Sequence, residues 1–223
     1  MTEMGSEAAI RQSDEKHAGT GPAPGQPIVA FEFDGTLTVR DSFTAFLKWR
    51  AGSGAWALGL VRMAPAVVRY ARDRDRGLIK AASVREFLGG VARARLETDA
   101  EAFAARAWDG FMRPDALACW ADWGHRGAWR VIVTASPETT VAPFARRLEA
   151  EALLGTPLSF DAEDRVSGAF AGPNCRGAEK VRRLKAAYGD DVTIAAAYGD
   201  TSGDTEMLAM AQTPGFRVFT GRP

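Results

Sequence analysis

The stretch that decides the fold is Ile28-Val29-Ala30-Phe31-Glu32-Phe33-Asp34-Gly35-Thr36-Leu37-Thr38, a short apolar run closed by two acids and a glycine turn. Consecutive apolar residues over this length read as a strand buried on both faces, as in a parallel sheet. The two acids then stand at its carboxyl end. Similar runs recur at 130–134, 193–198 and 216–219, separated by helical patterns at about 137–150, 177–188 and 203–211. Strand alternating with helix predicts an α/β fold with a parallel sheet, and such sheets bind ligands outside the carboxyl ends of their strands. Residues 157–170, with Asp161-Ala162-Glu163-Asp164 between two apolar segments, read as a β-hairpin.

Upstream, residues 1–27 show no apolar periodicity and end in a Gly/Pro-rich run. They are expected to form a disordered leader, because they have too little apolar surface to offset the entropy of ordering. A secretory signal would need a central apolar run, which is missing. Downstream, residues 41–112 read as helices near 41–51, 55–72, 78–90 and 98–110, with no convincing strand. The expected division is therefore a leader over 1–27, a core over 28–40 and 113–223, and a separate helical module over 41–112.

The whole chain has 223 residues, 46% hydrophobic and 25% charged, with 28 basic and 28 acidic side chains. A length of this order buries roughly 70% of the unfolded surface without staples, which excludes wholesale disorder and a small disulfide scaffold. Zero net charge argues against a dedicated nucleic-acid binder, whose affinity rests on neutralising phosphates. The neutrality is an average: the helical module has 12 basic and 8 acidic residues, while the leader and the core are each acidic by two. Cys119 and Cys175 are too few for a disulfide framework and lack metal-ligand spacing, so they read as reduced thiols of a cytoplasmic protein.

Four features fall at the expected strand ends. Glu32 and Asp34, two residues apart, project to one side of a strand; crowded acids of this kind call for a cation. Asp200 and Asp204 add two carboxylates after a later strand, and hard oxygen ligands with room for water suit Mg²⁺. Thr134 runs into Ala135-Ser136-Pro137, where a hydroxyl and free amides before a helix suit a phosphate. Lys180 opens another helix and offers a fixed positive charge.

In order and spacing these residues resemble the four motifs of the haloacid dehalogenase superfamily of phosphohydrolases. Phe31 to Thr38 is similar to the first motif, Asp-x-Asp-x-Thr; Val131 to Thr134 is similar to the second, Lys180 to the third, and Gly199-Asp200 with Asp204 to the fourth. The resemblance implies a Rossmann-like core with an inserted α-helical cap of the phosphoserine phosphatase-like branch. It also implies a Mg²⁺-dependent phosphomonoester hydrolase acting through an acyl-phosphate. The residue at position 32 would attack phosphorus, and Asp34 would protonate the leaving oxygen and then activate water. Thr134, Ala135 and Lys180 would hold the phosphoryl oxygens. Mg²⁺ would be held by Glu32, the Asp34 carbonyl, Asp200 and Asp204.

One position departs from the family pattern: the nucleophile is Glu32 where the family has Asp. The charge survives, but the extra methylene moves the attacking oxygen by roughly 1.5 Å, and misplacement of about 1 Å costs on the order of a hundredfold in rate. Glu32→Asp is therefore expected to raise turnover. The phosphoserine phosphatases typically have Ser-Gly-Gly after the second motif, whereas this chain has Thr134-Ala135-Ser136-Pro137, which argues against phosphoserine as substrate.

Two further readings stay open. Residues 55–68 are apolar and followed by Arg69, Arg72, Arg74 and Arg76. They pack either within the helical module or at a lipid boundary. The second case resembles phosphatidylglycerophosphate phosphatases and implies a lipid phosphate at the inner face of the membrane. Alternatively, with Glu32 in place, the chain is a catalytically weak Mg²⁺- and phosphate-binding regulatory module.

Overall fold

A computed structural model of the chain describes residues 21–73 and 76–223. Most of the expected leader therefore lies outside the described residues. Strand β1 (Ile28–Phe31) is followed by one wide turn, and then by α1 (Ser42–Arg62), α2 (Ala64–Asp73), α3 (Arg76–Leu88) and α4 (Arg93–Phe111). The chain continues through α5 (Pro114–His125), β2 (Trp129–Pro137), α6 (Glu138–Arg147), β3 (Ala152–Thr156) and a hairpin of β4 (Leu158–Phe160) and β5 (Val166–Phe170). It ends with α7 (Ala178–Tyr188), β6 (Ile194–Gly199), α8 (Thr205–Ala209) and β7 (Ala211–Phe216).

Five strands form one parallel sheet in the order β3-β2-β1-β6-β7. Both faces of its centre are buried, which is why β1 reads as an unbroken apolar run. Val29, Phe31 and Ile132 belong to one core cluster, while Ile28, Ala30, Val131 and Val133 pack into a second with Leu184 and Met207. Strand β1 pairs with β2 on one side and β6 on the other. The chain order thus reverses at β1, and the crevice at such a reversal is where open α/β sheets bind ligands.

The helical segment is anchored at both ends beside the strand that carries the acids. Val39 N–H donates to the Phe111 carbonyl at 2.8 Å and Arg113 N–H to the Leu37 carbonyl at 2.9 Å, flanking a bridge between Thr38 and Met112. Helix α1 starts on Asp41, whose carboxylate accepts the Thr44 N–H at 2.6 Å, satisfying a free first-turn donor. The helices share one aromatic core with the sheet: the ring centroid of Phe144 on α6 lies 5.2 Å from Phe33, 6.3 Å from Phe103 and 6.1 Å from Trp108. The β4–β5 hairpin joins the helical segment through a bridge between Ala92 and Arg165.

Several boundaries differ from those read off the pattern. The last strand is Ala211–Phe216, not 216–219; it is an edge strand and so tolerates Pro214, whose missing N–H would break a central ladder. Strand β3 was not foreseen, because Ala-Leu-Leu-Gly-Thr is short and interrupted by glycine. Helix α5 runs through Asp122 to His125. Pro114 opens it and Gly127, with φ of 72°, follows its end, matching the usual placement of these residues. The expected break between the first two helical segments is a kink at Gly52 (φ 72°), and a further break falls at Met63.

Candidate active site

The residues singled out at the strand ends converge, and β1 supplies the centre. Glu32 follows the last residue of β1 and its N–H donates to the Tyr198 carbonyl of β6 at 2.9 Å. Its side chain is buried beneath β2, where Oε1 accepts the Thr134 hydroxyl at 2.9 Å. Oε2 accepts no hydrogen bond and forms an ion pair with Lys180 Nζ. Lys180 is itself buried at the start of α7 and is held by two further acceptors, the Val133 carbonyl at 2.6 Å and Asp204 Oδ1 at 2.8 Å. Burial pushes the Lys180 pKa down, against the pull of Asp204 and Asp200.

Asp34 lies two residues further along in a different environment. Gly35 takes φ of 83°, a left-handed conformation that costs glycine little, and the turn closes with Thr38 N–H donating to the Phe33 carbonyl at 3.0 Å. A side chain at Gly35 would place its Cβ 2.3 Å from Asp200 Oδ2, so glycine is also required by the approach of that carboxylate. Asp34 Oδ1 accepts the Ser42 N–H at 2.6 Å and Oδ2 accepts the Ser136 hydroxyl at 2.5 Å. Burial raises its pKa, with Asp41 adding to the rise and the Ser136 and Ser42 hydrogen bonds opposing it. Two neighbouring acids thus differ in kind: Glu32 is neutralised by an ammonium group, whereas Asp34 faces hydroxyl and amide donors and is biased toward its protonated form.

Asp200 and Asp204 divide their work in a similar way. Asp204 Oδ2 accepts the N–H groups of Asp200 (3.1 Å) and Thr201 (2.9 Å) and the Thr201 hydroxyl (3.0 Å). Burial alone would raise its pKa, but Lys180 and these donors outweigh it and the pKa falls. Asp200 accepts the Thr36 hydroxyl at 3.2 Å; burial and the neighbouring Asp204 raise its pKa. Arg217 braces the same loop by donating to the Asp200 carbonyl at 2.7 Å.

The acids expected at the metal have protein partners in this structure: the Asp34 carboxylate accepts from Ser42 and Ser136, that of Asp204 from Lys180 and the loop amides, and that of Glu32 from Thr134 beside Lys180. Among the described residues no group of three or more His, Cys, Asp or Glu side chains is arranged to hold a metal ion. Glu32, the Asp34 carbonyl, Asp200 and Asp204 are nonetheless a set of hard oxygens. Mg²⁺ accepts such a set because it keeps several waters and needs only one or two protein carboxylates. The chemistry of the donors, carboxylate and carbonyl oxygens gathered at the strand ends, fits a hard cation there.

Two participants have no assigned role in the sequence reading. Ser136 stands there only as part of a phosphate-holding loop, yet its hydroxyl donates to Asp34. Arg176 donates to the hydroxyls of Thr201 at 3.4 Å and Ser202 at 3.0 Å. Lys80 had no local signal, being one of twelve basic residues in the helical segment. It reaches from α3 to donate to the Ala135 carbonyl at 2.9 Å, in the loop next to Thr134. Burial lowers its pKa, while Asp34 and Asp41 pull it up and Arg176 adds to the fall.

The strand-end carboxylates, the β2 hydroxyl and the buried lysine define a class, and the chain belongs to it: residues 29–209 match the haloacid dehalogenase-like hydrolase family. Phosphatases of this family typically use Mg²⁺. Among curated relatives, the chain is 54% identical over 205 residues to Protein CicA of Caulobacter vibrioides, covering 92% of each sequence. Its fold is similar to that of a protein of unknown function from Bordetella pertussis Tohama I, with a TM-score of 0.72 at 22% identity over 85% of this chain and 88% of that one. It is also similar to a phosphoserine phosphatase solved as a phospho-aspartyl intermediate analogue, with a TM-score of 0.57 at 15% identity over 85% of each chain. At these identities the two structures establish likeness of fold.

Proposed function

We propose that the protein is a Mg²⁺-dependent phosphomonoester hydrolase in which Glu32 accepts the phosphoryl group and Asp34 handles the proton. The supporting observation is the contrast between the two acids, Glu32 paired with Lys180 and Asp34 held by hydroxyl and amide donors with burial raising its pKa. Glu32 Oε2 attacks phosphorus as the P–O bond to the leaving group breaks, and Asp34 donates its proton to the departing oxygen. Once ionised, Asp34 takes a proton from water as that water attacks the acyl-phosphate, which releases inorganic phosphate and restores Glu32. Thr134 and Lys180 hold phosphoryl oxygens and stabilise the charge that develops on them. Bound Mg²⁺ would sit at Glu32, the Asp34 carbonyl and Asp200 and supply further neutralisation of the phosphoryl charge.

The length of Glu32 has a consequence within this scheme. Its carboxylate occupies the Thr134 hydroxyl and the Lys180 ammonium, the donors required by the phosphoryl group. Glu32→Asp withdraws the carboxylate by one methylene and frees them, so turnover rises by roughly a hundredfold. The test is a phosphomonoester panel run on both forms with and without Mg²⁺. Activity in neither form would favour a Mg²⁺- and phosphate-binding regulatory module, and equal or lower turnover in Glu32→Asp would mean that the site has adapted to glutamate. A lipid phosphate is a second substrate reading, favoured by the exposed apolar surface of α1 and α2. The free thiols of Cys119 and Cys175 fit a reducing, cytoplasmic setting.

A further inference from the structure

The second half of α1 and the whole of α2 form a surface that the site chemistry does not use. Leu58, Leu60, Val61, Val67 and Val68 are all exposed, Val61 at 70% and Val68 at 69%. One face of α1 is committed inward: Trp56 stacks on Phe87 of α3 at 4.8 Å, and a Cβ at Gly59 would meet the Phe87 ring at 2.4 Å. Val61 and the α2 valines are turned away from that packing. Contiguous exposed apolar surface of this kind marks an interaction site.

Charge identifies the occupant. Residues 42–72 contain five basic side chains, Lys48, Arg50, Arg62, Arg69 and Arg72, and no acid. Arg62 and Arg69 are exposed beside the valines, and Arg62 also pairs with Glu86 of α3 at 3.3 Å. A second copy of this chain, docked face to face, would bring two predominantly basic surfaces together, since a two-fold contact pairs each patch with itself. An anionic bilayer instead receives apolar side chains at the acyl boundary and arginines at the headgroups. Among the described residues no single helix is long and apolar enough to cross a membrane; α1 and α2 pass that test of length and composition only as a pair, bent by 57°, a shape suited to lying along a surface.

We infer that α1 and α2 dock this protein peripherally on an anionic lipid bilayer, with Leu58, Val61 and Val68 entering the lipid and Arg62 and Arg69 at the headgroups. The helices belong to the segment whose Lys80 reaches the Ala135 loop, so docking would bring the site to the surface. The inference does not depend on turnover, and its test reads binding alone.

The full chain is sedimented with vesicles of phosphatidylglycerol and phosphatidylcholine, and with vesicles of phosphatidylcholine alone, at low and high salt. Binding is expected to the anionic vesicles only, to weaken at high salt, and to fall at least tenfold in Val61→Glu/Val68→Glu. That variant should retain wild-type thermal stability. Absence of anionic-vesicle binding at low salt would overturn the inference, as would equal binding by the wild type and the variant. So would self-association of the wild type that the variant abolishes while vesicles bind neither, since the face would then belong to a second copy. Arg69→Glu separates the two contributions: it should weaken anionic binding and its salt dependence without exposing new apolar surface.

Discussion

The strand-end site and the α1–α2 surface contain similar amounts of charge and manage it in opposite ways. At the strand ends the central charges are buried against specific partners: Lys180 is clasped by Glu32, Asp204 and the Val133 carbonyl. Along the second half of α1 and in α2, Arg62 and Arg69 are exposed beside valines, and no acid occurs over 42–72, although Arg62 pairs with Glu86 of α3. Buried charge in a fixed geometry serves chemistry, because interactions are stronger where water is excluded and need no reorganisation at the moment of reaction. Exposed charge beside apolar surface serves adhesion, is screened by salt and tolerates substitution. Changes at the first region should therefore be large and specific, and changes outside it small and graded.

The largest effect on rate is expected from Asp34→Asn, which removes the proton donor while keeping the size of the side chain. Turnover should fall by about 10² to 10⁴ with thermal stability little changed, as measured by steady-state kinetics beside a melting curve. A variant that keeps its activity would reassign the proton to another group. Lys180→Met comes next and should act on both rate and stability. Loss of the phosphoryl-stabilising charge costs roughly 10² to 10³ in kcat, and Glu32 and Asp204 become uncompensated buried charges, a penalty of about 3–5 kcal/mol. Urea denaturation measures the second part. A small change would mean that the cluster is wetter than the described contacts imply.

Lys80→Met is expected to be milder, because Lys80 acts on the Ala135 carbonyl and not on the reacting atoms. Loosening the loop should lower kcat/KM roughly tenfold and leave the fold intact. A loss as great as that of Asp34→Asn would mean that Lys80 itself touches substrate.

The smallest effect concerns Cys175, which is fully buried; burial raises its pKa from 9.0 to about 12. The folded protein keeps this proton while the unfolded chain loses it above pH 9.0, so stability falls as pH rises through this window. The slope is about 1.4 kcal/mol per pH unit. Between pH 9 and 10 this slope should shrink in Cys175→Ala without vanishing, because burial also raises the pKa of Cys119. Above pH 10 both forms should decline, because Tyr188 and Tyr198 are also pushed up to about 12. Parallel urea midpoints for wild type and variant across that range would contradict the assignment.

What was legible in the sequence follows the same division. Glu32, Asp34, Thr134, Lys180, Asp200 and Asp204 were readable because they fall at expected strand ends and a helix start in an order that resembles the four motifs of the family. Their joint order conveyed what none conveyed alone. The direction of each carboxylate was not readable: Asp34 turns to Ser136, 102 residues away, and only the folded sheet brings β2 to that point. Lys80 was invisible because its reach to Ala135 depends on how α3 packs, and nothing local distinguishes it from Arg76 or Arg85. Strand β3 was missed because a five-residue edge element with an internal glycine has too little pattern of its own. For residues 55–68 the sequence made packing the default and lipid contact the alternative, and the exposures of Val61 and Val68 support the proposal of lipid contact.

The central claim is that Glu32 receives the phosphoryl group. Its most direct test is acid quenching of the full chain during turnover of a ³²P-labelled phosphomonoester, followed by peptide mapping. The account predicts an acid-stable, base-labile phosphoryl label on the peptide containing Glu32, absent in Glu32→Gln and moved to the new aspartate in Glu32→Asp. Label on another residue, or turnover retained by Glu32→Gln, would contradict it.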